Sequence, residues 1–70
     1  MTRVKKFLLN NEKYVTNSNI SLYDLIKYFD YNESLLVLEY NQVIFNKTYW
    51  KNTFIQDLDE IEIVTIVGGG

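Results

Sequence analysis

Covalent chemistry has few places to reside in this chain. Its 70 residues include no cysteine and no histidine. A thiolate nucleophile, an imidazole base, a Cys/His zinc site and a disulfide framework are therefore all excluded. Asp57 and Asp59, one residue apart, are the pair that acid–base or metal chemistry would use. No pocket-forming segment accompanies them, so they read as the acids of a turn entering a strand. With Glu60 and Glu62 they could steer the chain towards a basic partner; the plainer reading is a solvated edge. No metal site is expected, and no catalytic side chain. What remains is the α-carboxylate of Gly70. All three glycines stand together as Gly68, Gly69 and Gly70, although glycine ordinarily serves turns that need positive φ. A carboxylate with a reference pKa of about 3.3–3.7 is ionised near neutrality and weakly electrophilic. It reacts only when something activates it. On composition alone a loose end is the lesser reading of such glycines.

The elements around these groups belong to one small domain, residues 1–67, followed by a glycine tail, 68–70. The chain is 47% hydrophobic and 16% aromatic, too apolar for a disordered protein. A domain this short buries only ~60% of its unfolded surface, so aromatic side chains carry much of the core. Nine acidic and seven basic residues leave a net charge of -2, and Lys5-Lys6 is the only adjacent basic pair. Neither nucleic acid nor an anionic membrane is an expected partner. No apolar run is long enough to span a bilayer, and no signal peptide is recognisable. Phe, Ile, Asn, Lys and Tyr supply 31 of the 70 residues; their AT-rich codons point to a low-GC bacterial or organellar genome.

Along the chain, Val4 to Leu9 reads as a strand, Asn10-Asn11 as a hairpin turn, and Lys13 to Thr16 as the returning strand. Ser21 is a helix N-cap with Asp24 three residues on, an acid-shortened capping box. Leu22, Leu25, Ile26 and Phe29 then fill one helical stripe, predicting a helix from Leu22 to about Tyr31. Tyr23, Tyr28 and Tyr31 lie to its other side, and the spacing leaves open whether they pack or face solvent. Leu35 to Tyr40, a turn at Asn41-Gln42, and Val43 to Phe45 give a strand and a short strand. Asn46 to Asn52 predicts a turn or single 3₁₀ turn pinned by Trp50, read as an amphipathic anchor. Ile61 to Val67 is the last strand. Period two puts Ile61, Ile63, Thr65 and Val67 on one side, and Glu62, Val64 and Ile66 on the other. Glu62 belongs outside, so Val64 and Ile66 become apolar residues on the open face. By the same logic Leu36, Leu38 and Tyr40 point inward and Val37 and Glu39 outward. Together Val64, Ile66, Glu62 and Val37 form a candidate docking face beside the glycines.

A hairpin, a covering helix and a mixed sheet of about five strands make an α+β, two-layer domain of the β-grasp type. From about Leu8 to Gly70 the chain resembles the ThiS-type sulfur carriers of thiamine biosynthesis, which are ubiquitin-like β-grasp proteins. The resemblance rests on Asn10 at the first turn, Ser21-Leu22 opening the helix with Leu25, Ile26 and Phe29, Asn41-Gln42 before Ile44, Trp50, Asp57-x-Asp59-x-Ile61, and terminal Gly69-Gly70. Leu58 stands where the family commonly has Gly, so that turn is expected to have changed type. Asn19 and Asn46 stand where relatives often have Gly and Pro.

The resemblance implies a carrier, not an enzyme. An E1-like adenylyltransferase would spend ATP to convert the Gly70 carboxylate into an acyl-adenylate. Sulfur mobilised by a cysteine desulfurase would then give a Gly70 thiocarboxylate, delivered to a thiazole synthase. No cofactor would be bound by the carrier itself. Gly68 and Gly69 would pass through a narrow channel, where residues without Cβ let the backbone approach the nucleotide. Ordering each such residue opposes binding by ~1–2 kcal/mol, so the folded body must supply affinity. The same tail also fits a molybdopterin-type sulfur carrier or a ubiquitin-like protein modifier. A plain β-grasp interaction module is the reading of a different class. The expected location is the cytoplasm, or the plastid stroma if the chain is organelle-encoded.

Overall fold

A computed structural model describes residues 3–66. Strand β1 (Lys5–Leu9) turns through Asn10 and Asn11, both at positive φ, into β2 (Glu12–Thr16). Helix α1 (Leu22–Tyr28) follows, then a 3₁₀ turn (Glu33–Leu35), β3 (Leu36–Tyr40) and β4 (Val43–Ile44). A second 3₁₀ segment (Lys47–Asn52) leads to β5 (Glu60–Thr65). The sheet order is β2-β1-β5-β3-β4. β5 is central, parallel to β1 and antiparallel to β3. This is the expected β-grasp, an α+β domain with one helix on one face of a five-stranded mixed sheet.

The helix begins where its capping chemistry dictates. The Ser21 hydroxyl accepts from the Asp24 amide at 3.1 Å, and the Asp24 carboxylate accepts from the Ser21 amide at 2.9 Å. It ends at Tyr28, earlier than the Leu22–Tyr31 stripe predicts. Asp30 adopts φ 59, and the Tyr31 amide donates back to the Ile26 carbonyl while the Asp30 amide donates to Lys27. That pair of bonds is a Schellman closure with Asp in glycine's usual place. Phe29 is consequently only half-buried, Tyr28 is exposed, and Tyr23 and Tyr31 pack against the core edge.

The core joins Leu22, Leu25 and Ile26 of the helix to Phe7, Leu9, Leu36, Leu38, Ile61 and Ile63 of the sheet. Each fully buried aliphatic side chain contributes about 1.5–3 kcal/mol of transfer free energy. Trp50 closes the core from the second 3₁₀ segment, its indole N–H donating to the Phe45 carbonyl at 3.1 Å. Ile55, which the sequence pattern did not single out, is fully buried. The Ile55 amide donates to Ile20 and the Leu22 amide to Thr53, laying this stretch along the helix start.

Period two sorts β5 and β3 as expected: Ile61, Ile63, Leu36 and Leu38 are buried and Tyr40 half-buried. Strand boundaries differ: β1 begins at Lys5, β2 at Glu12, β3 at Leu36 and β5 at Glu60. β5 ends at Thr65, which is exposed, although the Ile66 amide still donates to the Leu35 carbonyl at 2.6 Å. β4 stops at Ile44 because Phe45 turns inward to the ring of Tyr40. Val67, Gly68, Gly69 and Gly70 lie outside the described residues, as do Met1 and Thr2.

Candidate functional site

The start of β5 is fastened from both neighbours by turn residues. On the β1 side, the Asn10 side-chain oxygen accepts from the Ile63 amide at 2.7 Å, and the Asn10 amide donates to Ile61. On the β3 side, the Asn41 side-chain oxygen accepts from the Glu60 amide at 2.8 Å, and the Asn41 amide donates to Glu60. Asn fits both places because it tolerates φ near 51° and offers an amide side chain to the neighbouring strand.

The turn before β5 separates the two aspartates. Asp57 is exposed and accepts from the Lys6 amide at 2.7 Å, while the Leu58 amide donates to the Lys6 carbonyl. These bonds extend the β1–β5 ladder backwards into the turn. Asp59 is buried, with 6% of its surface exposed. Its carboxylate accepts from the Tyr40 hydroxyl at 2.5 Å, the Gln56 amide at 2.7 Å and the Asn41 side-chain amide at 3.2 Å. Asp59 is thus no part of a solvated edge, which corrects the sequence expectation for that residue. A buried carboxylate must be hydrogen-bonded, and these three donors meet that need. Burial first, then the hydrogen bond to Asp59 and its negative charge, push the Tyr40 phenol above its ordinary pKa. The phenol is therefore a standing donor. Among the described residues no group of three or more His, Cys, Asp or Glu could hold a metal ion.

Leu58 sits at φ 70. That is the positive φ a glycine would adopt freely. Flanking hydrogen bonds to β1 hold the leucine there, with its side chain in solvent.

The far end of β5 is built differently. Val64 pairs with Val37 and Glu62 with Glu39, all on the face away from the helix. Glu62, Val64 and Ile66 are exposed and Val37 is half-buried. Ile66 is the last described residue, and Gly68, Gly69 and Gly70 come soon after it in sequence. The hydrogen bonds that pin this strand were not legible in the sequence beforehand. Asn at both hairpin turns was the signal that could have disclosed them.

Known proteins place this fold. A family model described as the ThiS family matches residues 2–70. A Trieres chinensis protein designated ycf40 is 53% identical over 73 aligned residues, covering the whole of both chains. A ycf40 protein of Pyropia yezoensis is 36% identical over 62 residues, covering 89% of this chain and 87% of that one. The crystal structure of the thiamine biosynthesis protein ThiS from Geobacter metallireducens superimposes with a TM-score of 0.77 at 16% identity, covering 93% of this chain and 99% of that one. With a family match over nearly every residue and the same β-grasp topology, the chain belongs to the ThiS family.

Proposed function

We propose that this protein is a sulfur carrier whose working group is the Gly70 carboxylate, and that it supplies sulfur for thiazole formation in thiamine biosynthesis. The observation that carries the reading is the asymmetry of β5. The strand is locked at its start, presents Val64 and Ile66 in solvent at its end, and continues into the chain's only glycines. An activating E1-like adenylyltransferase lets a carboxylate oxygen attack the α-phosphorus of ATP, and pyrophosphate leaves. A sulfide-level nucleophile then adds to the acyl carbon and AMP leaves, so a C–S bond replaces C–O without oxidation. Val64, Ile66, Glu62 and Val37 give the enzyme its grip, and Gly68 and Gly69 follow into its channel. Among the described residues the last hydrogen bond to the sheet is made by Ile66. The four residues beyond it span at most about 14 Å, which sets how far the nucleotide can lie from the sheet rim.

Family membership, the missing Cys and His, and the capacity of this face to dock all support a co-substrate in preference to an enzyme. Thiazole synthase is the proposed sulfur acceptor and a cysteine desulfurase the proposed source; its persulfide sulfur reaches the sulfide level when a thiol reductant cleaves the S–S bond and is itself oxidised to a disulfide. The stroma is the proposed compartment; the ycf40 designation of the relatives and the AT-rich composition support it. Among the described residues no helix is long and apolar enough to cross a membrane.

Intact-mass spectrometry tests the proposal. With its activating enzyme, ATP and a sulfide source, the protein gains about 16 Da as sulfur replaces oxygen. Deleting Gly70 abolishes the gain without changing the melting curve. No mass gain with an enzyme that adenylates other carriers of the family would refute it. Transfer of the sulfur to molybdopterin synthase in place of thiazole synthase would reassign the acceptor.

A further inference from the structure

The outer face of the sheet carries a second apolar patch, at the opposite end of β5 from Ile66. Leu8 of β1 pairs with Lys13 of β2 on one side and Glu60 of β5 on the other. One row away, Lys6 pairs with Val15. Leu58 shares a groove with these five residues and is 77% exposed. An exposed leucine held in the left-handed region is a costly way to make a turn unless the side chain has a use. Neither Lys13 nor Glu60 forms an ion pair among the described residues.

Across the strands, the row Lys13–Leu8–Glu60 runs positive, apolar, negative. That order is its own complement. A two-fold axis parallel to the strands and above Leu8 sets Lys13 against Glu60 of a second copy and Leu8 against its counterpart. The next row sets Val15 against Leu58 of the second copy. Packed sheets lie about 10 Å apart, a gap that a lysine and a glutamate together bridge. We propose that the β2–β1–β5 face pairs with the same face of a second copy, giving a weak two-fold dimer. Lys6 is the one charged residue of these rows that meets its like, which weakens the pairing. Val37, Val64 and Ile66 lie beyond the covered rows, so partner docking there remains possible. The patch is small, which puts the interface at the weak end of the range, with a Kd of about 10⁻⁴ M.

Sedimentation velocity over roughly 10 µM to 1 mM brackets that value. The natural chain moves from monomer to dimer across the range. Lys13→Glu and Glu60→Lys each remain monomeric, because one then carries two acids at the paired positions and the other two bases. Mixed together, the two singly reversed chains form a heterodimer, and the double variant K13E/E60K dimerises like the natural chain. Leu58→Gly is an independent probe that relaxes the backbone: the dimer Kd rises at least about fivefold while the melting temperature holds or rises. A natural chain that stays monomeric throughout overturns the proposal. So does an unchanged Kd for Leu58→Gly, or a failure of the two reversed chains to associate while both melt as the natural chain does.

Discussion

The two ends of β5 use similar residue types for opposite ends. At its start, an aspartate and a tyrosine are folded inward and the backbone is gripped from β1 and β3. Four residues on, carboxylate and apolar side chains face outward, with Glu62 and Val64 alternating against the buried Ile61 and Ile63. The first end spends its polar groups on the fold; the second leaves its apolar groups in solvent. The proposed carrier role needs that division. A strand that is pulled at one end by an enzyme must be anchored at the other.

Removing the anchor should have the largest effect. Asp59→Ala strands the Gln56 amide and leaves the Tyr40 hydroxyl only the Phe54 carbonyl, 3.5 Å away. The cost is about 2–4 kcal/mol, seen as a fall of at least about 10 °C in thermal melts. A loss below about 1 kcal/mol would mean that the start of β5 is no firmer than its end. At the other end the effect should fall on binding alone. Ile66→Asp leaves the melting temperature within error but raises the KM of the adenylating enzyme about tenfold, equivalent to about 1.4 kcal/mol. Equal losses of stability and binding would erase the distinction between the ends.

The smallest effect sharpens the anchor's chemistry. Tyr40→Phe costs about 1 kcal/mol near neutral pH. The sign of its pH dependence follows from the raised phenol pKa. An unfolded tyrosine ionises near pH 10.0, and the folded one higher, so the bond's full contribution is present below pH 10. It is lost as pH climbs towards the folded value. Urea midpoints measured on either side of pH 10 should therefore fall with pH in the natural chain and more shallowly in Tyr40→Phe.

Much of this architecture was legible beforehand because its signals are local. Ser21 with Asp24 announces a helix start, the Leu22, Leu25, Ile26 stripe announces its buried face, and period two in β5 separates Ile61 and Ile63 from Val64 and Ile66. The misreadings share another cause. The helix ends before Tyr31 because Asp30 closes it in the left-handed region, where glycine would have been the familiar marker. Asp57 and Asp59 look alike in sequence, yet only the fold brings Tyr40 and Asn41 over one of them. Leu58 keeps positive φ because Lys6, more than 50 residues away in sequence, holds its turn. Long-range partners cannot be read from neighbours. The outward face of β5 was visible as an exposed pattern, whereas the clamps at the start of the strand were not.

The left-handed residues Asn10, Asn11, Asp30, Asn41 and Gln42 carry a consequence for the denatured chain. Glycine in their places would enlarge the number of conformations open to the unfolded polypeptide, and so the entropy surrendered when it collapses. By bending without glycine, a domain with little core to spare keeps its disordered competitor narrow. Thermal tolerance here is written partly into a state that has no sheet at all.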